Sequence, residues 1–348
     1  MFKIITLSRK DMKILVTGGL GFIGSHTAVA LQQKGYEVVI VDDLSNSSIE
    51  VLDGITQITG IKPAFEQLDL RNESSVKNLF NSHKDITGVI HFAASKAVGE
   101  SVENPLLYYE NNINSLVYLL KELTKHNCKL IFSSSCTVYG QADEMPISEA
   151  APIKKAESPY GNTKQIGEEI ITDVCKAYPD FKATLLRYFN PIGAHESGLI
   201  GELPIGVPQN LVPFITQTAI GKREQLSIFG GDYPTQDGTC IRDYIHVVDL
   251  AEAHVVALEQ LFDTSYTTSL SIYNLGTGAG NSVLEVVKTF EEVSGVDLPY
   301  AIVERRTGDV IQAYADTTKA SKQLGWKSRF TLAQALESAW KWEQKLAD

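Results

Sequence analysis

The 348-residue chain is predicted to form an α/β fold, a doubly wound parallel sheet with a smaller C-terminal lobe. Three features of the sequence support this prediction. Short apolar runs alternate with helical patterns through the first half, and a glycine-rich turn links the first run to the first helix. Residues 191–240 then form a long stretch rich in Gly and Pro, with little periodicity. Alternating strands and helices are typical of parallel sheets, and so long an irregular stretch is typical of a binding region.

The strands are predicted from short apolar runs, and the helices from apolar residues that recur three or four positions apart. The predicted strands cover residues 13–17, 37–42, 88–93, 129–133 and 183–187, and the predicted helices cover residues 25–34, 115–126, 160–178, 248–262, 282–294 and 332–345. Gly35 suits the C-terminal cap of the first helix. The C-terminal third is expected to form a small lobe over the edge of the sheet.

Composition and charge narrow the range of functions. With 43% hydrophobic residues the chain can bury a large core, while its net charge of −11 makes nucleic acid an unfavourable partner. The sequence lacks a run of about 18 apolar residues, so no membrane span is predicted. Its four cysteines form no CxxC pair, so no metal site is predicted and a cytoplasmic location is expected.

The glycine-rich turn has the features of a dinucleotide site. Gly18, Gly21 and Gly24 lie between the first strand and the first helix, where glycine lets the backbone approach a pyrophosphate. Asp42, at the end of the second strand, can accept hydrogen bonds from the adenosine ribose. No Lys or Arg lies between Asp42 and Gly60, so NAD is favoured over NADP. The glycine spacing alone also fits a plain tight turn.

Tyr160 and Lys164 are the predicted catalytic pair. Residues four apart share one helix face, so the lysine charge, together with the positive ring of NAD⁺, is expected to lower the tyrosine pKa from about 10. A general base near neutral pH would result. Ser135 follows the fourth predicted strand and is expected to reach the same substrate, because ligands bind at the carboxyl ends of parallel strands. A helix cap or turn contact is the other interpretation of Ser135.

Ten segments carry a family resemblance: TGGLGFIGSHT, VDDLSNS, HFAASKAVGES, YYENNINS, FSSSCTVYG, SPYGNTK, LLRYFNPIGAH, IFGGDYPTQDGTCIRDYIHVVDL, YNLGTG and RRTGD. In this order they resemble the extended short-chain dehydrogenase/reductase family, and within it the UDP-galactose 4-epimerases. The resemblance runs over nearly the whole chain from Met12. It implies a Rossmann-type NAD-binding domain of residues 12–189 with about 239–275, a UDP-sugar-binding lobe of residues 190–238 and 276–348, and an N-terminal extension of residues 1–11.

The resemblance implies a role for each matching residue. Cofactor contacts are implied for Gly18, Gly21, Phe22, Ile23, Gly24, Asp42, Asn46, Ser47, Asp69, Leu70, Phe92, Ala93, Ala94, Lys96, Asn111, Ser133, Tyr160, Lys164, Tyr188 and Phe189. Substrate contacts are implied for Lys96, Ser135, Tyr160, Asn190, Asn210, Leu211, Ser227, Phe229, Arg242, Arg306, Asp309 and Ala313. In this set the two arginines would clamp the diphosphate, and Asp309 would hold the uridine ribose.

The implied reaction interconverts UDP-glucose and UDP-galactose through a 4-keto sugar, with a tightly bound NAD that is recycled in each turnover. A position that limits the size of the sugar falls on Ala313, whose small side chain predicts activity on UDP-GlcNAc and UDP-GalNAc as well. A homodimer through helices near residues 101–125 and 158–177 is also implied.

Three alternative functions are weighed against this one. A nucleotide-sugar 4,6-dehydratase begins with the same oxidation, but it usually has an Asp-Glu pair where this chain has Cys136 and Thr137. A UDP-glucuronate-type decarboxylase or epimerase of the same family would need a site shaped for a carboxylate at C6, and the sequence gives no clear sign of one. A non-catalytic NAD-binding protein commonly loses the tyrosine or the lysine, and both are present here.

Overall fold

The computed structural model describes residues 9–306 and 309–347. Residues 1–8 of the predicted N-terminal extension therefore lie outside the described residues. The remainder of that extension, Arg9–Asp11, forms a single 3₁₀ turn. Arg9 pairs there with Glu259 at 2.7 Å, which holds the start of the described chain against the main body.

Strands and helices alternate through most of the described chain. The strands are β1 (Lys13–Thr17), β2 (Glu37–Asp42), β3 (Ala64–Gln67), β4 (Ile86–His91), β5 (Lys129–Ser135), β6 (Ala183–Tyr188), β7 (Asn190–Ile192), β8 (Leu226–Phe229), β9 (Ile241–Arg242), β10 (Tyr244–His246), β11 (Leu270–Leu275), β12 (Asn281–Ser282), β13 (Tyr300–Val303) and β14 (Gln312–Ala313). The helices are α1 (Phe22–Gln33), α2 (Val51–Thr59), α3 (Glu73–Ser82), α4 (Val98–Glu103), α5 (Pro105–Tyr109), α6 (Ser115–His126), α7 (Pro159–Ala177), α8 (Leu211–Ala219), α9 (Val247–Phe262), α10 (Val283–Ser294) and α11 (Leu332–Ala347).

A seven-stranded parallel sheet forms the centre of the fold, in the order β11-β6-β5-β4-β1-β2-β3. Its inner strands are apolar on both faces because helices cover both sides. One apolar core joins the sheet to α1, α2 and α9, and a second joins it to α3, α6 and α7. This confirms the predicted doubly wound α/β fold.

The strand order reverses between β1 and β4, which are neighbours in the sheet although two strands separate them in sequence. The chain that leaves β1 runs towards one edge of the sheet, and the chain that leaves β4 runs towards the other. A crevice therefore opens between the loops that follow these two strands, and this is where ligands bind in open α/β sheets. The glycine-rich turn follows β1 and the segment from Phe92 follows β4, so both border the crevice.

A smaller lobe is built mainly from the C-terminal third of the chain. Helices α8, α10 and α11 pack with β8 around their own core, which includes Ile215, Phe290 and Leu336, each buried. Two short sheets, β12-β9-β14 and β13-β8, extend this lobe. The predicted helices at 248–262, 282–294 and 332–345 are confirmed to within two residues. Within the described residues, no helix is both long and apolar enough to cross a membrane.

Some predicted boundaries were wrong, and each error has a local cause. The first helix begins at Phe22 instead of at residue 25, because Gly21 in extended conformation is its N-cap. The fourth predicted strand continues through the polar residues Ser133 to Ser135, which pair with β6. Hydrogen bonding to a neighbouring strand thus extends β5 beyond its apolar run.

Several histidines are buried in this fold. Burial lowers the pKa of His26 and His91 to about 3, and that of His246 and His254 to about 4. His254 shares a hydrogen bond with the Leu250 carbonyl at 2.8 Å and packs its ring against Phe92. Such side chains are neutral in the folded protein and bind protons only when the protein unfolds.

We expect the stability of this fold to fall with acidification, and His254→Asn to reduce that dependence. The folded-state pKa of His254 lies below the unfolded value of 6.5, so its contribution is present above pH 6.5 and is lost as the pH falls towards about 4. One such proton changes the slope of unfolding free energy against pH by about 1.4 kcal/mol per unit. Urea unfolding from pH 7 to 4.5 measures both slopes. Thr264→Asn, at an exposed position without a titratable group, is the control and should keep the wild-type slope. Equal slopes for wild type and His254→Asn would contradict this prediction.

Candidate active site

The glycine-rich turn after β1 leaves no room for side chains. A Cβ atom at Gly24 would lie 2.2 Å from the Gly18 carbonyl oxygen, and one at Gly18 would lie 2.8 Å from the Ala93 nitrogen. Gly18 also has a φ of +65°, which side chains disfavour. The turn therefore brings bare backbone to the start of α1, where no side chain of the described residues caps the helix. Helix N–H groups and the helix dipole at this point suit a pyrophosphate.

Asp42, the predicted adenosine contact, lies at the end of β2 beside this turn. Its side chain is 8% exposed and accepts hydrogen bonds from the backbone of Leu20 and Leu44, both at 3.1 Å, and from the Ser47 hydroxyl at 2.7 Å. The carboxylate is thus held at the crevice edge by its own loop, with Asn46 exposed next to it.

The predicted adenine contacts lie at the end of β3. Asp69 accepts hydrogen bonds from the Arg71 guanidinium, which lowers the pKa of its carboxyl group, and Leu70 is buried. The role of this segment in adenine binding stays a prediction.

The segment after β4 forms the opposite wall of the crevice. Phe92 and Ala93 lie against the glycine turn and α9, and Ala94 is half-buried. Lys96 reaches Glu202 of the smaller lobe at 3.4 Å, and the Asn111 amide donates to the Ser95 hydroxyl at 2.9 Å. These contacts connect the segment after β4 with the glycine turn, with α9 and with the smaller lobe.

Local sequence sets the start of the catalytic helix α7. The Ser158 hydroxyl caps it by accepting from the Gly161 nitrogen at 3.1 Å, and Pro159 occupies the first turn, where a missing N–H costs nothing. Tyr160 and Lys164 therefore lie in the first two turns, on the face towards β5. The Lys164 amine is 5.8 Å from the Tyr160 ring centre and 5.1 Å from that of Phe132.

Lys164 is buried and donates a 2.7 Å hydrogen bond to the Ser133 carbonyl of β5. Burial lowers the pKa of this amine to about 8, while the nearby Glu168 carboxylate raises it. Because this pKa is only slightly above neutral pH, most of the lysine is protonated at pH 7, and a small rise in pH removes the proton.

In the chain without a cofactor the tyrosine pKa is raised, and its expected lowering by the lysine together with NAD⁺ stays a prediction. Burial raises the pKa of Tyr160 to about 12, and the opposing effect of the Ser135 hydroxyl is smaller. The Lys164 amine is directed at the Ser133 carbonyl and lies 5.8 Å from the Tyr160 ring centre, so burial of the phenol outweighs its effect on the tyrosine pKa. Without a further positive charge beside it, the phenol stays protonated at neutral pH.

The carboxyl end of β5 supplies the other hydroxyls. Ser135 faces the Tyr160 phenol and accepts hydrogen bonds from the Thr137 nitrogen at 3.2 Å and hydroxyl at 3.0 Å. It therefore caps the following 3₁₀ turn, and its role as a substrate contact stays a prediction. Ser133 is hydrogen-bonded to the Tyr188 hydroxyl of β6, and Phe189 is buried next to it.

The predicted substrate residues of the smaller lobe fall into three groups. Arg242, at the end of β9, forms an ion pair with Asp309, although the two were predicted to hold different parts of the ligand. The Arg306 guanidinium lies 3.9 Å above the Phe229 ring, with Ser227 exposed on the same strand. The remaining members lie at helix or strand ends: Asn190 on β7, Asn210 and Leu211 at the start of α8, and Ala313 on β14.

Two residues that sequence reasoning missed connect these parts. Asn112 lies in a π-helical turn between α5 and α6 and bonds both the Ser95 backbone and, at 3.0 Å, the Thr163 hydroxyl of α7. Glu202 accepts from Asn210 at 2.6 Å as well as from Lys96. The paired asparagines between two helical patterns were the only signal for the first, and the second gave none.

The residues present fit a dinucleotide and give no support for a metal. Bare glycine backbone, a helix N-terminus without a side-chain cap and a buried carboxylate at the next strand end suit a pyrophosphate and a ribose. Within the described ranges, no cluster of three or more His, Cys, Asp or Glu side chains could hold a metal ion. Together the fold and the site define a Rossmann-type enzyme with a tyrosine-lysine pair, as in the extended short-chain dehydrogenases/reductases.

Comparisons with known proteins specify the family further. The family model described as GDP-mannose 4,6 dehydratase matches residues 15–339. The UDP-glucose 4-epimerase of Bacillus subtilis is 50% identical over 333 residues, which cover 95% of this chain and 97% of that protein. The chain therefore belongs to the UDP-glucose 4-epimerase family, which confirms the resemblance seen in the sequence.

Solved structures agree with this assignment. The UDP-glucose 4-epimerase from Stenotrophomonas maltophila, with NAD and formylated UDP-arabinopyranose, is 46% identical, with a TM-score of 0.93 over 97% of this chain and 99% of that one. The enzyme from Bifidobacterium longum, in complex with NAD⁺ and UDP, is 47% identical, with a TM-score of 0.91 over 96% and 98% of the two chains. Both proteins contain the cofactor that the glycine turn and Asp42 predict.

We expect Tyr160 to remain protonated up to at least pH 10 in the nucleotide-free protein, since burial raises its pKa to about 12. Carbon NMR of protein labelled at the tyrosine Cζ measures this, with the Tyr160 signal assigned by its loss in Tyr160→Phe. A Tyr160 titration centred near pH 7 in nucleotide-free protein would show that the chain's own groups suffice to form the base.

Proposed function

We propose that this chain is an NAD-dependent 4-epimerase that interconverts UDP-glucose and UDP-galactose through a 4-keto sugar. One observation carries the proposal: the Tyr160 phenol, the Ser135 hydroxyl and the Lys164 amine meet at the carboxyl end of β5, on the same edge of the sheet as the glycine turn and two strands from it. The family assignment supplies the substrate class.

Each side chain of this group has a definable task. NAD⁺, when bound, supplies a hydride acceptor for C4 and a positive ring that favours the phenolate. Tyr160 takes the proton from the C4 hydroxyl and later returns it, with Ser135 hydrogen-bonded to the same oxygen. Lys164, held by its hydrogen bond to the Ser133 carbonyl, places a positive charge near the phenol. Inversion requires the keto sugar to present its other face before the hydride returns.

The smaller lobe is proposed to anchor UDP while the sugar turns. Two arginines, Arg242 and Arg306, offer guanidinium groups that match phosphate oxygens. Arg242 would exchange its partner Asp309 for the diphosphate, which would free that carboxylate for a ribose hydroxyl. Anchoring remote from C4 converts binding energy into positioning of the reacting carbon.

A 4,6-dehydratase is the second candidate, since the matching family model bears that description. Elimination of water needs acid and base groups at the positions of Cys136 and Thr137. Burial raises the pKa of Cys136 to about 11, so a neutral thiol and a hydroxyl stand there at neutral pH. These groups favour epimerisation without elimination.

The chain is also proposed to act on N-acetylated sugars. Ala313 packs against the cluster that contains Tyr139 and Phe189, so it lies at the wall next to the predicted nicotinamide contact. A methyl side chain at this wall leaves space for a 2-N-acetyl group.

A homodimer, a two-domain division and a cytoplasmic location complete the proposal. The exposed apolar side chains Val102 and Leu106, 62% and 80% exposed, lie in the predicted dimer region on α4 and α5. The separate cores of the sheet and of α8, α10 and α11 support the predicted division into residues 12–189 with 239–275 and a second lobe, although Ala320, Leu324 and Trp326 of that lobe pack into the core of the sheet. Four free cysteines fit a reducing compartment.

Tyr160→Phe is expected to abolish nearly all turnover, because loss of the general base costs about 10²–10⁴-fold in rate. Binding of UDP, measured by calorimetry, should be unchanged since the uridine contacts lie in the other lobe. The control Tyr178→Phe changes a half-exposed tyrosine on the far end of α7 and should keep wild-type kcat. Turnover at the wild-type rate in Tyr160→Phe would remove this residue from the mechanism.

Ala313→Tyr is expected to reduce kcat/KM for UDP-GalNAc at least tenfold while sparing UDP-galactose, because the larger ring would fill the space for the N-acetyl group. Steady-state assays with the two substrates measure the ratio. Ala313→Gly keeps the space and should preserve both activities. An unchanged substrate ratio in the tyrosine variant would contradict a pocket role for this position.

A further inference from the structure

A buried carboxylate lies one helical turn beyond the catalytic lysine. Glu168 is 7% exposed and forms a two-point ion pair with Arg187 of β6, with Nε at 2.8 Å and Nη2 at 2.5 Å from its oxygens. The Ser134 hydroxyl donates to the same carboxylate. Arg187 is itself 4% exposed, so the whole cluster is inside the protein.

We propose that Glu168 is a positioning residue for the catalytic pair. Its carboxylate fixes α7 on the sheet and supplies the negative charge that faces Lys164. The proposal deepens the epimerase function above and rests on it for the roles of Tyr160 and Lys164. Glu168 itself contacts no part of the predicted substrate or cofactor site.

The geometry shows how one side chain can set the position of two others. Tyr160, Lys164 and Glu168 are spaced four residues apart and share one face of α7. They meet three consecutive residues of β5: Ser135 faces the phenol, the Ser133 carbonyl accepts from the lysine, and Ser134 donates to the carboxylate. Because all three contacts join the same helix face to the same strand end, a shift of α7 relative to β5 would disturb them together.

The charges around Lys164 give Glu168 a second effect. The neighbouring His91 is held neutral by burial, which lowers its pKa to about 3, and Tyr160 is a neutral phenol. The Phe132 ring and the Ser133 carbonyl carry no net charge. Glu168 is thus the anion that opposes burial of the lysine charge. Loss of this anion would also leave Arg187 unpaired, and a second buried cation would disfavour a protonated lysine further.

A chain of hydrogen bonds also connects the ion pair to the region of β14, which carries the predicted substrate residue Ala313. Arg187 donates to the Tyr139 hydroxyl at 3.0 Å, which donates to the Asn274 side chain at 2.7 Å. Asn274 in turn donates to the Ile147 carbonyl at 2.8 Å, and Ile147 pairs with Tyr314 next to β14. A buried ion pair is often no more stabilising than apolar residues of the same size, so its presence here is better explained by this positioning and by its charge.

Three variants separate the charge from the packing. Glu168→Gln keeps the shape and removes the charge, and Glu168→Gln combined with Arg187→Met removes both charges so that no cation is left unpaired. Glu169→Gln is the matched control, because Glu169 is next to Glu168 on the same helix and its side chain is exposed. The readouts are the Lys164 titration, by carbon NMR of protein labelled at the lysine Cε and assigned with Lys164→Met, and the pH profile of kcat.

We expect the Lys164 pKa to fall by about one unit in Glu168→Gln, by a smaller amount in the double variant, and not at all in Glu169→Gln. The alkaline limb of the kcat profile should shift by the same amounts, with KM for UDP-galactose within twofold of wild type. If Glu168→Gln does not fold, the double variant decides in the same way. A Lys164 pKa equal to wild type in every folded variant would overturn the proposal, even if stability falls. Because the titration is read without turnover, that outcome is distinct from failure of the epimerase assignment.

Discussion

The contact between α7 and the carboxyl end of β5 is the interaction on which the rest of the site depends. It brings a tyrosine, a lysine and three consecutive strand residues together, and it does so with groups that are nearly all buried. Burial disfavours the charged form of both groups, since it raises the pKa of the phenol to about 12 and lowers that of the amine to about 8. Both shifts favour the uncharged forms. Polar partners such as the Ser133 carbonyl and the Glu168 carboxylate therefore have to be in place before the pair can act.

The sheet places this contact where a dinucleotide can reach it. The reversal of strand order between β1 and β4 opens the crevice, the glycine turn removes side chains from one wall, and the segment after β4 forms the other. The smaller lobe closes the opposite side through short polar links, such as that of Lys96 with Glu202. Apolar packing also joins the two parts, since Ala320, Leu324 and Trp326 of the lobe lie in the core of the sheet.

Sequence reasoning predicted the features that local chemistry determines. The glycine spacing, the acid after β2 and the four-residue spacing of Tyr160 and Lys164 each need only a few neighbouring residues to be understood. The Glu168–Arg187 pair spans 19 residues and the Ser134–Glu168 contact spans 34, so no local pattern could reveal them. The direction of the lysine amine was not predictable either, because it is set by the Ser133 carbonyl of β5 and not by its own helix.

Product stereochemistry at C4 is the most direct measurement of the central claim. The purified protein is incubated with UDP-galactose, with and without added NAD⁺, and the sugar products are identified by proton NMR. The account predicts formation of UDP-glucose, with inversion at C4, retention of the C6 hydroxyl and no net consumption of NAD⁺. Recovery of unchanged UDP-galactose under both conditions, or of a 4-keto-6-deoxy sugar, would contradict it.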